Sequence, residues 1–396
     1  MFWFMVATTT PEGPPEGPGT KTDTAARSEW GIDDAVIHLR EWGTNILSPL
    51  PRNPSQGEEL TIGAMDGCWM RLWDPSGRVS RRHAVLEYRN GVWVLSDISK
   101  NGVFVDNKRM IAPFPLVPGF EIRIGRTTLV PESERLIALR ELLARFIGMK
   151  EELREEVDQA LSSVRIAAIY REPLLICGPG NLALLAKQLH RRVFLDRPFV
   201  VVRPPRKGMD ALALAEGGTL CVLRDQQPRD FDEVVATLRA APISRALLIL
   251  CAHAMPRGND IASQIVSVLR SVLIAPLAER AEELPKIIDA YANDAVAEFG
   301  GGWMSVADRE WVAINASGFL SQIETATRRI VALHSCQESI SEAARLLGMA
   351  HGSLSEWVGR RALLERSQIP EGADAERSRM PDDDDDAPDD EGVIER

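Results

Sequence analysis

Two short runs carry the residues best suited to chemistry. They are Val79-Ser80-Arg81-Arg82-His83 and, beyond a Trp-bearing segment, Ser99-Lys100-Asn101-Gly102. A hydroxyl and guanidinium groups fixed at a loop surface suit an anion, above all phosphate, because charge-assisted hydrogen bonds to it are short and strong. Gly102 supplies a backbone conformation that other residues reach only at a cost. Nucleophilic catalysis finds no footing: the 6 histidines pair with no nucleophile motif. The 5 cysteines (Cys68, Cys177, Cys221, Cys251, Cys336) are scattered, with no C-x-x-C pair. That spacing speaks against a disulfide framework or a zinc site and fits a reducing cytoplasm.

The elements that must position these runs are short. Between residues 36 and 130, apolar stretches at 60–62, 84–88, 92–95, 103–105 and 121–124 are separated by Asp, Gly, Pro and Asn turns. Such punctuation predicts an all-β sandwich. A Leu/Ile stripe among Glu and Arg residues predicts helix over 136–169. Pro173-Leu-Leu-Ile-Cys-Gly178 reads as a buried strand meeting a glycine turn. Helices at 182–192 and 232–240 then alternate with apolar strands at 199–202, 219–223 and 246–250, which predicts an α/β layer on a parallel sheet. Residues 261–364 are expected to be almost entirely helical.

The 396 residues are 45% hydrophobic and 26% charged, ordinary for a soluble protein of two or three domains. Residues 367–396 hold 12 acids and 3 basic residues, so -9 of the net -11 lies there and the rest is near -2. Net charge therefore does not argue against a local nucleic-acid contact. The Asp run at 381–391 reads either as a solvated tail or as a contact for a basic partner. Residues 8–26, rich in Pro, Gly, Thr and Glu, are expected to be disordered. The opening Met1–Val6 run lacks the basic region and cleavage site of a signal peptide, and either Met1 or Met5 could be the start. No run approaches the ~20 apolar residues of a membrane helix. The expectation is a cytoplasmic protein with no membrane contact.

The Ser-Arg-x-His run, the Trp-bearing strand and the tight Asn-Gly loop resemble the forkhead-associated (FHA) family, small β-sandwiches whose loops read phosphothreonine on partner proteins. The resemblance implies that Ser80 contacts phosphate, that Arg81 and Lys100 are further phosphate donors, and that Asn101 beside Gly102 holds the peptide backbone. It makes Gly63 and His83 structural. The family places an Arg after its Ile-Gly pair; here Ile62-Gly63 is followed by Ala64. Arg71 or Arg78 could replace that guanidinium, or the domain could make contacts independent of phosphate.

Residues 135–333 resemble the AAA+ domain of bacterial enhancer-binding activators that work with the sigma-fifty-four polymerase. The likeness is carried by Leu184-Leu-Ala-Lys-Gln-Leu-His190, Glu216-Gly-Gly-Thr-Leu220, Ala275-Pro-Leu-Ala-Glu-Arg280 and residues 318–333. The chemistry departs from it. Gly178-Pro-Gly-Asn-Leu-Ala183 has no phosphate-loop Lys or Ser/Thr. Leu223 and Arg224 stand where two acids should hold magnesium, with Asp225 out of register. Ser321 stands at the second-sensor Arg, and residues 203–214 are too few for the sigma-contacting loop.

Residues 339–364 resemble the Fis-type helix-turn-helix of the same activators. Ala343, Ala344 and Leu347 would pack its first helix, Gly348 would make the turn, and Leu354 and Val358 would seat the second. Its DNA-facing residues would be His351, Ser353, Ser355, Trp357, Arg360 and Arg361; a dimerisation module is the other reading. The expected chain is thus multidomain: an FHA sandwich at 31–132, an α/β AAA+-like domain with helical lid at 135–333 and a helix-turn-helix bundle at 334–366. Disordered ends at 1–30 and 367–396 flank them. The expected function is a bacterial transcriptional regulator that couples a phosphothreonine partner, linked to a Ser/Thr kinase, to DNA without ATP hydrolysis. It is expected to have no catalytic residues, metal or cofactor, and a homo-oligomer is compatible with the sequence. A non-DNA-binding adaptor and an active ATPase are the alternatives.

Overall fold

The computed structural model describes residues 34–240, 246–255 and 270–367. The expected disordered N-terminus and the Asp-rich run lie outside the described residues. Two compact units result, one of residues 1–287 with 317–323, the other of 288–316 with 324–396.

The first unit begins with a β-sandwich. One of its sheets runs β4 (Met70–Arg71), β3 (Glu59–Gly63), β5 (Ala84–Arg89), β6 (Val92–Asp97) and β9 (Phe114–Pro115). The facing sheet runs β2 (Leu47–Pro49), β1 (His38–Glu41), β11 (Thr127–Glu132), β10 (Ile122–Ile124), β7 (Val103–Val105) and β8 (Lys108–Arg109). Alternate residues turn inward, as the pleat demands: Ile62, Leu86, Leu95, Ile122, Ile124 and Leu129 are all within 1% of complete burial. Tyr88 and Trp93 are direct cross-strand partners, their rings 5.4 Å apart.

Two helices follow instead of one. Helix α1 (Glu134–Ile147) is capped by Ser133, whose hydroxyl accepts from the Leu136 N–H at 3.2 Å. It ends at Gly148, with φ at +154°, where a β-carbon would fall 2.2 Å from the Leu153 side chain. That glycine breaks the stripe that predicted continuous helix, and α2 (Arg154–Tyr170) begins afresh.

These helices fasten the sandwich. Arg40, 1% exposed, donates through Nη1 and Nη2 to Asp158 of α2 at 2.9 and 2.5 Å and through Nε to Glu132 at 2.8 Å. Burial opposes the charge of Arg40, but Asp158 and Glu132 outweigh it and raise its pKa. Arg165 grips Asp106 with two bonds of 2.7 and 2.9 Å, and Ser162 donates to Glu121 at 2.7 Å. The sandwich and the layer behind it therefore share one ionic, desolvated seam rather than a linker.

The α/β layer is a parallel sheet. Among the described residues its order is β13 (Phe199–Val201), β14 (Thr219–Leu223), β15 (Leu247–Ala252), β12 (Leu174–Cys177) and β16 (Arg270–Leu273). Helices α3 (Leu182–Val193), α4 (Gly208–Leu214) and α5 (Phe231–Ala240) connect them. β16 stands within the 261–364 stretch expected to be almost entirely helical: Val272, fully buried, and Ile274, 5% exposed, favour a strand beside β12.

The second unit is helical. It contains most of α6 (Leu284–Phe299) and α8 (Leu320–Ser335), all of α7 (Val306–Asn315), then α9 (Ile340–Leu347) and α10 (His351–Ser367). Ala332, Leu333, Ala343, Ala344 and Leu354 form its core, with Leu347 and Val358 partly buried against them and a turn at Gly348. Among the described residues, no helix is long and apolar enough to cross a membrane.

Candidate functional site

The predicted anion-binding runs meet at one end of the sandwich. His83, completely buried, is the clasp. Its Nδ1 accepts the Ser80 N–H at 2.9 Å, so the proton sits on Nε2, which donates to the Gly102 carbonyl at 3.2 Å. One imidazole thus joins the loop bearing Ser80 and Arg81 to the loop bearing Lys100 and Asn101. Asn101 adds a second tie, donating from Nδ2 to the Arg78 carbonyl at 2.7 Å. The Lys100 N–H lies 3.4 Å from the Ser80 hydroxyl.

Backbone fixes the third loop. The N–H groups of Ala64 and Met65 donate to the Ser80 and Arg81 carbonyls at 3.0 and 3.1 Å. A β-carbon on Gly63 would lie 2.2 Å from the Arg81 carbonyl oxygen, so only glycine admits this approach. Gly102 has φ at +87°, and a β-carbon there would meet Arg109 Nε at 2.8 Å. Ser80 is half-buried, while Arg81, Lys100 and Asn101 are exposed. Of the two candidates to replace the arginine absent at Ala64, Arg71 is paired with Asp66 at 2.6 Å and Arg78 is exposed beside the Asn101 tie.

Sequence reasoning missed two carboxylates that shape these loops. Asp74 accepts from the Ser76 N–H and hydroxyl and from the Arg78 and Val79 N–H groups, at 2.5 to 3.1 Å. The Ser76 bond foremost, with the amides, holds its pKa below the usual range despite the opposing desolvation. Asp97 takes the N–H groups of Ser99 and Val103 at 2.9 and 3.0 Å. Burial works to raise its pKa, yet the bonds from Ser99 and Val103 hold it down. The signal for Asp74 was legible in Asp-Pro-Ser-Gly, whose side chain caps its own turn.

A second concavity, about 620 Å³, lies beyond the C-terminal ends of β12 and β15. There the strand order reverses, the place where open α/β sheets bind ligands. Its lining includes Pro179, Gly180, Asn181, His253, Ser321 and Gln322, with no Lys or Arg among the described lining residues. Asn181 caps α3, its side chain accepting from the Leu184 N–H at 3.2 Å, and its own N–H donates to the Ser321 hydroxyl at 3.2 Å. Leu223 closes β14, and Arg224 and Asp225 sit in the following 3₁₀ turn.

In the second unit the residues expected to face DNA divide. His351, Ser353 and Arg360 are exposed along α10, and Ser355 is half-buried. Trp357 departs from the expectation: it packs edge-on against Trp311 at 5.8 Å, with Arg329 over its ring. Arg361 departs too, being bound to Asp308 and stacked over Trp311. Burial alone would raise the Asp308 pKa, but Ser305 and Arg361 hold it low. Among the described residues, no cluster of His, Cys, Asp and Glu could hold a metal ion.

Residues 60–125 match the FHA domain family, so the chain carries an FHA domain. The sandwich is similar to the FHA domain of FhaA solved with the intracellular domain of Rv3910, at 27% identity over 24% of this chain and 96% of that one, TM-score 0.20. It is also similar to Mycobacterium tuberculosis EmbR solved with a low-affinity phosphopeptide, at 25% identity over 27% of this chain and 28% of that one, TM-score 0.22. A third likeness is to the N-terminal FHA domain of S. cerevisiae Rad53p with a phosphothreonine peptide, at 22% identity over 24% and 90%, TM-score 0.21. No curated protein matches the chain.

Proposed function

We propose that the protein is a phosphorylation-dependent regulator: its FHA domain binds a phosphothreonine on a partner that a Ser/Thr kinase modifies, and no ATP hydrolysis follows. The observation that carries this reading is the His83 clasp, which holds Ser80, Arg81, Lys100 and Asn101 at one loop surface. Ser80 and Arg81 then receive the phosphate, and Asn101 holds the peptide backbone.

The α/β layer is proposed as a pseudo-ATPase. Its sheet order, with the first strand between the fourth and fifth, supports the AAA+ resemblance. A phosphate there would meet no cation among the described lining residues, and the Asn181 amide is already spent on Ser321. The proposed output is DNA binding through α9 and α10 in a bacterial transcriptional regulator. A second reading, a cytoplasmic adaptor whose terminal helices pack or dimerise, is favoured by the commitment of Trp357 and Arg361 to packing.

The reading is tested by capture on immobilised phosphothreonine peptides and unphosphorylated twins, followed by gel shift with genomic fragments. Phospho-selective capture with a shift supports the regulator. Selective capture without any shift leaves the adaptor, and equal capture on both peptide sets refutes phosphate reading altogether.

A further inference from the structure

Five exposed cations crowd the reading end of the FHA domain: Arg78, Arg81, Arg82, Lys100 and Arg109. Among the described residues none has a carboxylate partner. Elsewhere in the sandwich Arg40 is buried in an ion pair, Arg71 binds Asp66, Arg89 binds Glu87 and Arg123 lies over the Phe104 ring, while Arg52 and Arg126 are exposed. The backbone of the loops that carry three of them is tied down. Asn101 ties down the Arg78 carbonyl, Met65 ties down that of Arg81, and the Arg109 guanidinium lies over Gly102. Asp74 and Asp97, in the same stretches of chain, accept from loop amides, and Asp66 is paired with Arg71.

A phosphothreonine carries a charge of about -1.5 to -2. Five cations on a patch that also lacks an arginine at Ala64 exceed what one such group can satisfy. Clustered like charges repel until a ligand of opposite sign covers them. We propose that, given the phosphothreonine reading above, this patch selects phosphopeptides that carry further negative charge beside the phosphorylated residue. The extra charge is supplied by Asp and Glu side chains or by a second phosphate. Arg82 and Arg109, to which the phosphate reading gives no role, are the residues that sense it.

The test uses the full chain and fluorescence anisotropy with five peptides. They carry phosphothreonine between alanines, phosphothreonine between aspartates, two phosphothreonines, and the unphosphorylated twins of the first two. Exposed pairs are individually weak, so at low salt the aspartate-flanked phosphopeptide should bind about tenfold more tightly than the alanine-flanked one. The gap should narrow as salt shortens the screening length. Arg82→Gln and Arg109→Gln should each reduce it by about two- to threefold. The two-phosphate peptide shows which source of charge is preferred; tighter binding than the alanine-flanked peptide by either source upholds the proposal. Equal affinity of all three phosphopeptides overturns it while leaving phosphothreonine reading intact. Failure of every phosphopeptide to bind better than its unphosphorylated twin overturns the underlying reading instead. Equal binding of the phosphorylated and unphosphorylated aspartate peptides overturns both, since the patch would then be a general polyanion site.

Discussion

Asp158→Ala should loosen the FHA domain from the layer it sits on. Asp158, 1% exposed, accepts from both terminal nitrogens of Arg40 and from the Gly43 N–H at 2.7 Å. Removing one partner of a buried pair costs about 3–5 kcal/mol, because the other charge is left desolvated. Here Glu132 still accepts from Arg40 Nε, and the carbonyl of Thr44 still accepts from Nη1 at 3.1 Å. The loss should therefore lie at the lower end, about 3 kcal/mol. For a unit of this size each kcal/mol lowers the melting temperature by about 2–4 °C, so the shift should be roughly 6–12 °C. Urea unfolding of the full chain, followed by far- and near-UV circular dichroism, measures the free energy. The double change Arg40→Met with Asp158→Leu should recover most of it, since apolar replacement of a whole buried pair is close to neutral. A loss under about 1 kcal/mol for Asp158→Ala would refute the desolvated seam.

Gly63→Ala should both destabilise the sandwich, by about 1–3 kcal/mol, and weaken phosphopeptide binding. Its methyl would enter the space of the Arg81 carbonyl, and parallel unfolding and binding titrations check the two effects. His83→Ala should cost about 2–4 kcal/mol, as a fully buried ring is deleted and two ties are lost; an unfolding titration showing under about 1 kcal/mol would contradict its role as clasp. Stability should fall as pH drops below about 6.5. Burial foremost, with Arg191 and Lys187 nearby, lowers the His190 pKa against the raising effect of its Arg197 hydrogen bond, so the unfolded chain binds the proton first. Glu132 and Asp97, held low by their partners, give stability present above about pH 4 and lost as pH falls through their depressed values. Unfolding free energies from pH 8 to 3 test both arms, and a flat profile between pH 7 and 5.5 contradicts the first. ATP turnover in magnesium should not exceed a protein-free blank; turnover abolished by mutating the 178–183 loop would sink the pseudo-ATPase proposal.

What the sequence disclosed follows from physical range. The sandwich strands and α/β alternation were legible because period-two patterning and apolar runs are local. Gly63, His83 and Gly102 were legible through motif spacing, and Gly348 through its place between two helical runs. Arg40 was not, since its partner Asp158 lies 118 residues away. Nor was the start of a second helix after Gly148, because the Leu/Ile periodicity resumes in phase with helix on both sides. β16 was hidden for the opposite reason: Arg270–Leu273 is too short to show alternation, and its buried neighbour β12 decides its state. Trp357 sits at a position where a recognition helix could expose it, and only the place of Trp311 on α7 turns it inward.

The central claim is that the His83-clasped loops read phosphate. Calorimetric titration of the full chain with a phosphothreonine peptide and its unphosphorylated twin addresses it directly, with Ser80→Ala as the paired variant. Heat from the phosphorylated peptide alone, reduced at least tenfold in affinity by Ser80→Ala, is the predicted result. Equal binding of both peptides, or phospho-selective binding untouched by Ser80→Ala, would contradict the account.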